Sequence, residues 1–334
     1  MTHLTYLEAA VVGLVQGVSE MFPVSSLGHS VLIPAIIGGS WARDLNVATP
    51  ESPYLAFIVG LHVATAIALL VYFWRDWIRI IGGFFTSLRD RRVHTEDQKL
   101  AWMIILATIP VGLVGLLFEH AFRVIFGKPI IAGIFLAVNG LILIAGERYR
   151  SRASLAADAA IAAEREPGPA IPAREPELVG AVRAAPASPA ALRQREQAEM
   201  IQADRRLASM TYPKSVAVGS AQILALLAGI SRDGVTMVAG MARGLSREDA
   251  ARFAFLLATP VILAAGALKI PDLLGPLGHG IRGQILLGSV LSGVGAYLSV
   301  RFLLRYLRTR TLTPFGVYCL IAGVASVLYL GLVR

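Results

Sequence analysis

The sequence predicts an all-α polytopic membrane protein, a helical bundle with two inverted repeats that each contain a broken or re-entrant helical hairpin. Three observations lead there. The 334-residue chain is 55% hydrophobic and only 16% charged, with a mean hydropathy of +0.64, which lies outside ordinary soluble domains. Several stretches of roughly 20 mostly apolar residues match the length that crosses about 30 Å of hydrocarbon at about 1.5 Å per residue. Two further stretches, 3–38 and 212–246, are apolar but broken by prolines, glycines and polar side chains.

In chain order, MTHLTYLEAA lacks the positive n-region and cleavage site of a secretory signal, so the N-terminus is expected to stay with the fold. Region 3–38 then carries VQGVSEMFPVSSLGHSVLIPA (15–35), where Phe22-Pro23 precede Ser25-Ser26. Proline stops a helix and serine can N-cap the next. Spans are expected at 54–74, 99–118 and 128–147. Residues 148–212, dominated by Ala, Pro, Arg and Glu, read as a flexible cytoplasmic insertion whose ends can be helical. Region 212–246 repeats the break at Ala228-Gly229 before Ser231, and spans follow at 249–269, 284–304 and 314–333. The chain thus divides into a first membrane half (1–147, hairpin motif 15–35), the insertion (148–212) and a second membrane half (213–334, hairpin motif 222–240).

The net charge of +9 raises nucleic acid as a partner. The basic residues, however, fall between spans: Arg75, Arg79, Arg89, Arg91, Arg92 and Lys99 in one cluster, Arg301, Arg305, Arg308 and Arg310 in another. The positive-inside rule accounts for them and argues against nucleic acid. With these clusters in the cytoplasm, each broken region must begin and end on one side, the first entering from outside and the second from inside. At an offset of 206, Gln16 falls on Gln222, Ser25 on Ser231, Ser26 on Arg232, Gly28 on Gly234 and Ser30 on Thr236. An inverted repeat of this kind is common in transporter-like folds. The single cysteine, Cys319, excludes an intramolecular disulfide and a cysteine-based metal cluster.

Ionisable groups inside a span cost several kcal/mol unless paired or hydrated, which singles out Glu20 and His29. Gln16 and Glu20 share a face at i, i+4, and Ser26 and His29 share one at i, i+3 beyond the break. Glu20, Ser26 and His29 are therefore expected in one cavity: a carboxylate to move a proton, an imidazole, and a hydroxyl able to attack phosphorus or carbon. The second hairpin supplies GISRDGVT (229–236), in which Arg232 beside glycines at a helix start makes an anion clamp suited to phosphate. Together these point to phosphoester or phosphoanhydride hydrolysis on an amphiphile. A transporter or flippase passing an anionic lipid headgroup is the alternative reading.

At these residues the sequence resembles the undecaprenyl-diphosphatase family, bacterial membrane enzymes associated with bacitracin resistance. The family's Glu/Gln-x-x-x-Glu and Pro-x-Ser-Ser-x-Gly-His pattern is matched by Gln16, Glu20, Pro23, Ser25, Ser26, Gly28 and His29. Its Pro-Gly-x-Ser-Arg-Ser-x-x-Thr motif is matched by Gly229, Ser231, Arg232 and Thr236, with Ala228 in place of the Pro and Asp233 in place of the second Ser. The resemblance implies release of the terminal phosphate of undecaprenyl diphosphate at the outer face of the bacterial inner membrane, with a divalent cation (Mg or Ca). The lipid and the membrane are the implied partners, and a homo-oligomer is left open. It implies Glu20 and His29 as acid/base or cation-binding pair, Ser26 as candidate nucleophile with a metal-activated water as the alternative, Arg232 as phosphate clamp, and Ser25, Gly229, Ser231 and Thr236 as phosphate-binding support, with Gln16 and Asp233 alongside. Another lipid-phosphatase class places His after Ser-Arg and five residues; that position here is Val238.

Overall fold

The computed structural model describes residues 4–45, 53–126, 128–164, 202–275 and 280–333. Helix α1 (Tyr6–Met21) starts at a capping box in which Thr5 Oγ1 accepts from the Glu8 amide at 3.2 Å and Glu8 accepts from the Thr5 amide at 2.8 Å. Pro23 ends the helix. The chain restarts as α2 (Ser26–Ile37), where Ser25 Oγ accepts from the Gly28 amide at 3.2 Å. After the short α3 (Gly39–Asp44), α4 (Pro53–Tyr72) bends by 85° into α5 (Trp74–Asp90). Helices α6 (Glu96–Phe126) and α7 (Pro129–Glu164) follow.

Residues 202–208 are helical and lead to α8 (Tyr212–Ser220), a 3₁₀ turn (Ala221–Leu226) and α9 (Arg232–Met241). Helices α10 (Arg247–Leu274), α11 (Arg282–Leu307) and α12 (Thr313–Leu332) complete the described chain. Among the described residues every regular element is helical, and five helices are long and apolar enough to cross a membrane, or six if the bent α4–α5 pair counts as a span. Leu113, Leu116, Leu117, Leu286, Ile321 and Leu332 point outward and are exposed. That is the surface a lipid-facing bundle presents.

The hairpin arms are too short to cross. At about 1.5 Å per residue, α1 spans about 24 Å and α2 about 18 Å, less than the roughly 30 Å of hydrocarbon. Both hairpins therefore turn back, and they do so in register. Their arms begin at Tyr6 and Tyr212 and restart at Ser26 and Arg232, in each case 206 residues apart, behind N-caps Thr5 and Thr211, then Ser25 and Ser231. Ser231 Oγ accepts from the Gly234 amide at 3.1 Å, as Ser25 does from Gly28.

Packing shows the same exchange. Helix α1 lies along α11 and α8 along α6, so each hairpin packs on a span of the other half, while α4 meets its counterpart α10 and α7 meets α12. Gly13 of α1 lies against the Gly288 backbone of α11, and Gly219, 206 residues on, lies against the Ala107 backbone of α6. Small residues let helices approach where lipid offers no hydrophobic drive to associate. The predicted repeat is present, and α5 stands outside it.

The insertion divides. Residues 165–201 lie outside the described residues; before them α7 continues to Glu164, and after them residues 202–210 are docked. Asp204, 3% exposed, accepts from Arg79 at 2.5 Å and from Arg252 at 2.7 Å, and Arg252 also donates to Asp76 at 2.9 Å. Arg206 forks onto Asp249 at 2.7 and 2.8 Å. The returning end is thus held by charge on α5 and α10.

Removing one member of a buried ion cluster strands the others, at about 3–5 kcal/mol. Arg252→Ala is expected to lower the thermal midpoint in detergent markedly, whereas Arg205→Ala, whose partner Glu96 at 3.4 Å is also exposed, changes it little. Equal midpoints for the two variants would refute a structural role for the cluster. At Gly17 a side chain would run into the Ser292 carbonyl, so Gly17→Leu is expected to lose about 1–3 kcal/mol and to displace Glu20 one turn away; thermal unfolding checks the first.

Candidate active site

The two helix breaks face each other. The Gly28 Cα side lies close to Gly229, where an added methyl would stand 3.0 Å from the Gly229 Cα, and one on Gly234 would stand 3.2 Å from Pro23 Cβ. Gly229 has φ +109°, a conformation that side chains resist, and a Cβ there would crowd Leu136 N at 2.6 Å. Glycine therefore breaks the second hairpin without the proline of the family motif. Ser25 is the other unusual residue: a non-glycine at φ 68° in the turn before α2. Such strain collects at functional sites when the surroundings over-determine it.

Asn139, fully buried on α7, ties the breaks together. Its Nδ2 donates to the Pro23 carbonyl at 2.9 Å and its Oδ1 accepts from the Ser231 amide at 3.0 Å. Both are backbone groups that a helix break leaves unpaired.

Between the tips sits Glu20, 8% exposed, with four partners. Gln16 Nε2 donates to Oε2 at 2.9 Å, Ser26 Oγ donates to the same oxygen in a short bond, and Arg232 Nη2 donates to Oε1 in another. His62 Nε2 lies 3.4 Å from Oε2. Carboxylate, hydroxyl and guanidinium thus meet as the sequence predicts.

The remaining residues fall around this core. Ser231 and Ser25 cap their helices, and Thr236 Oγ1 donates back to the Arg232 carbonyl at 2.7 Å, so these three are engaged with backbone. His29 does not join Glu20. Its Nδ1 lies 2.7 Å from the Ser25 carbonyl, its Nε2 lies 2.7 Å from Tyr318 Oη, and the two rings stack 5.8 Å apart at 6°. The i, i+3 spacing places Ser26 and His29 on adjoining parts of α2, but Tyr318 of α12 draws the imidazole to itself.

Asp233 is 1% exposed, and neither carboxylate oxygen has a hydrogen-bond donor; Arg232 Nε stands 3.5 Å away and is itself unbonded. Gln16 Oε1 is likewise without a partner. Among the described residues no three His, Cys, Asp or Glu side chains form a metal cluster.

Residues 9–325 match the family described as Bacitracin resistance protein BacA. The chain belongs to that family. It is 56% identical over 330 residues to the undecaprenyl-diphosphatase of Mycolicibacterium paratuberculosis, covering 99% of each chain. It is 54% identical over 333 residues, 97% of each, to undecaprenyl-diphosphatase 2 of Frankia alni. To undecaprenyl-diphosphatase 2 of Burkholderia lata it is 41% identical over 316 residues, 93% of this chain and 92% of that one. A BacA-family chain built of these apolar helices is a bacterial membrane protein.

Three site residues escaped the sequence reading: His62, Asn139 and Tyr318. His62 is an ionisable residue within an apolar span, so the cost argument that singled out Glu20 applies to it, and Asn139 is a polar amide in another such span. Tyr318 carries no such signal. Because Asn139 holds two buried backbone groups, Asn139→Leu is expected to cost about 1–3 kcal/mol for each partner left unsatisfied. It should also lower kcat far more than KM, since tip alignment rather than binding is lost; an unchanged kcat counts against the role.

Proposed function

We propose that this protein hydrolyses undecaprenyl diphosphate to undecaprenyl phosphate and inorganic phosphate in the bacterial inner membrane. The site would open to the outer face, and the product would return as carrier lipid to peptidoglycan synthesis. The observation that carries this reading is the hydrogen bond from Ser26 Oγ to a carboxylate that Arg232 holds from the opposite hairpin. The names of the relatives supply the substrate class.

The chain's own residues divide the work as follows. A diphosphate entering between the tips competes with Glu20 for the Arg232 guanidinium, whose Nε makes no hydrogen bond and stands 3.5 Å from Asp233. Glu20, released from that pair, takes the Ser26 proton as Ser26 Oγ bonds to the terminal phosphorus. The bridging P–O bond breaks, and its electron pair leaves with undecaprenyl phosphate. Water then bonds to the phosphorus of the phosphoserine, the P–Oγ bond breaks, and Ser26 recovers its proton as phosphate departs. Arg232 stabilises charge on the transferred group throughout. His62 beside Glu20 supports its charge, and Tyr318 keeps His29 oriented.

The charge inventory favours a bound cation. Two buried carboxylates, Glu20 and Asp233, face one guanidinium, and a diphosphate adds further negative charge. A divalent cation (Mg or Ca) would offset it, and hard cations of this kind take one or two carboxylates together with phosphate oxygens. Asp233, with both oxygens unbonded, fits that role better than Glu20 or His29, whose polar atoms are engaged.

Phosphate release from purified protein supplied with a polyprenyl diphosphate tests the reading. Ser26→Ala is expected to abolish turnover while retaining fold; near-normal turnover would transfer the nucleophile's role to water. Arg232→Ala and Glu20→Ala are expected to fall by at least about a thousandfold. Asp233→Ser should raise the cation concentration giving half-maximal rate on the order of tenfold, and an unchanged requirement places the cation elsewhere.

A further inference from the structure

A polar cavity lies at the base of the second hairpin, at the opposite end of that hairpin from its Arg232 tip. Its volume is about 460 Å³, and four cationic side chains line it from four separate segments: Arg150 of α7, Arg206 of the docked insertion end, Lys214 in the first turn of α8, and Arg243 just past α9. One carboxylate, Asp249, also faces it. That carboxylate is committed, since it accepts the Arg206 fork and the Ser246 hydroxyl at 2.8 Å.

Arg150, Lys214 and Arg243 have no carboxylate within ion-pair distance among the described residues. The neighbouring Glu147 is taken by Arg247 and by the Leu312 amide at 3.1 Å. Arg243 reaches only the Ala239 carbonyl, at 3.2 Å. Four cationic side chains thus share one concave lining with a single carboxylate that is already paired, and a ligand carrying two or more negative charges would balance them.

We propose that this cavity is a phosphate-binding site, separate from the active centre, that takes a phosphate group either free in solution or on an anionic lipid headgroup. Guanidinium and ammonium groups are the side chains that recognise phosphate. Basic pockets between membrane helices on the positively charged side hold anionic headgroups. Met210 and Leu245 add an apolar wall next to the cations, which suits a group attached to a lipid. The site exists only because the insertion returns to the bundle: Arg206 and Met210 belong to the end that Asp204 anchors. The proposal does not rest on the hydrolytic reading of the hairpin tips.

The test uses the full-length purified protein, the double variant Arg150→Gln/Lys214→Gln, and Arg205→Gln as a control that removes one exposed positive charge outside the cavity. In one arm, inorganic phosphate is titrated against chloride at matched ionic strength and the thermal midpoint is followed. In the other, native mass spectrometry compares retention of phosphatidylglycerol with phosphatidylcholine. Wild type and the Arg205→Gln control are expected to respond alike, with the double variant weaker by on the order of tenfold. A response in the first arm identifies free phosphate, and one in the second a headgroup. No preference for phosphate over chloride and for the anionic lipid over the neutral one, or a double variant equal to wild type, overturns the proposal.

Discussion

Everything in this structure is arranged around one ion pair, Glu20 with Arg232, made between two helix tips that neither crosses the membrane nor stays outside it. Alone in hydrocarbon either charge costs several kcal/mol. Met by the other, and with Ser26, Gln16 and His62 completing the hydrogen bonding of the carboxylate, the cost is offset. The pair requires the hairpins to enter from opposite sides and meet. That requirement in turn dictates short arms, a break at Pro23 and Gly229, and spans that embrace the opposite half.

Close approach does the rest. Gly13 and Gly219 allow the arms to lie on the backbones of α11 and α6, and Asn139 fastens the two breaks with one amide. An amide suits this position because it donates and accepts at once, and the two breaks expose groups of opposite kind: the Pro23 carbonyl in the first and the Ser231 amide in the second. A carboxylate could not donate and an amine could not accept.

Much of this was legible in the sequence because breaks leave a pattern. Proline or glycine followed by serine inside an apolar stretch marks a capped restart, and the same pattern 206 residues later marks a repeat. Ser26 and Arg232 were found for that reason, and Glu20 because an ionisable group inside a span is costly. His29 was assigned to the same cavity from spacing, but spacing gives a helical face and not a partner; its partner, Tyr318, lies 289 residues away and belongs to another helix. Asn139 and His62 stand alone in their spans, with no neighbour to form a motif. The docked residues 202–210 were hidden by composition, since an Ala- and Arg-rich stretch reads as solvated unless the buried charges awaiting it on α5 and α10 are known.

The register between the halves shows where their symmetry stops. Tyr6 and Tyr212, Thr5 and Thr211, Gly13 and Gly219 occupy equivalent places, yet the position of Glu20 holds Leu226 in the second hairpin and that of Ser26 holds Arg232. The two tips are therefore not interchangeable: one supplies acid and hydroxyl, the inverted one supplies the cation, and neither hairpin alone holds the whole set.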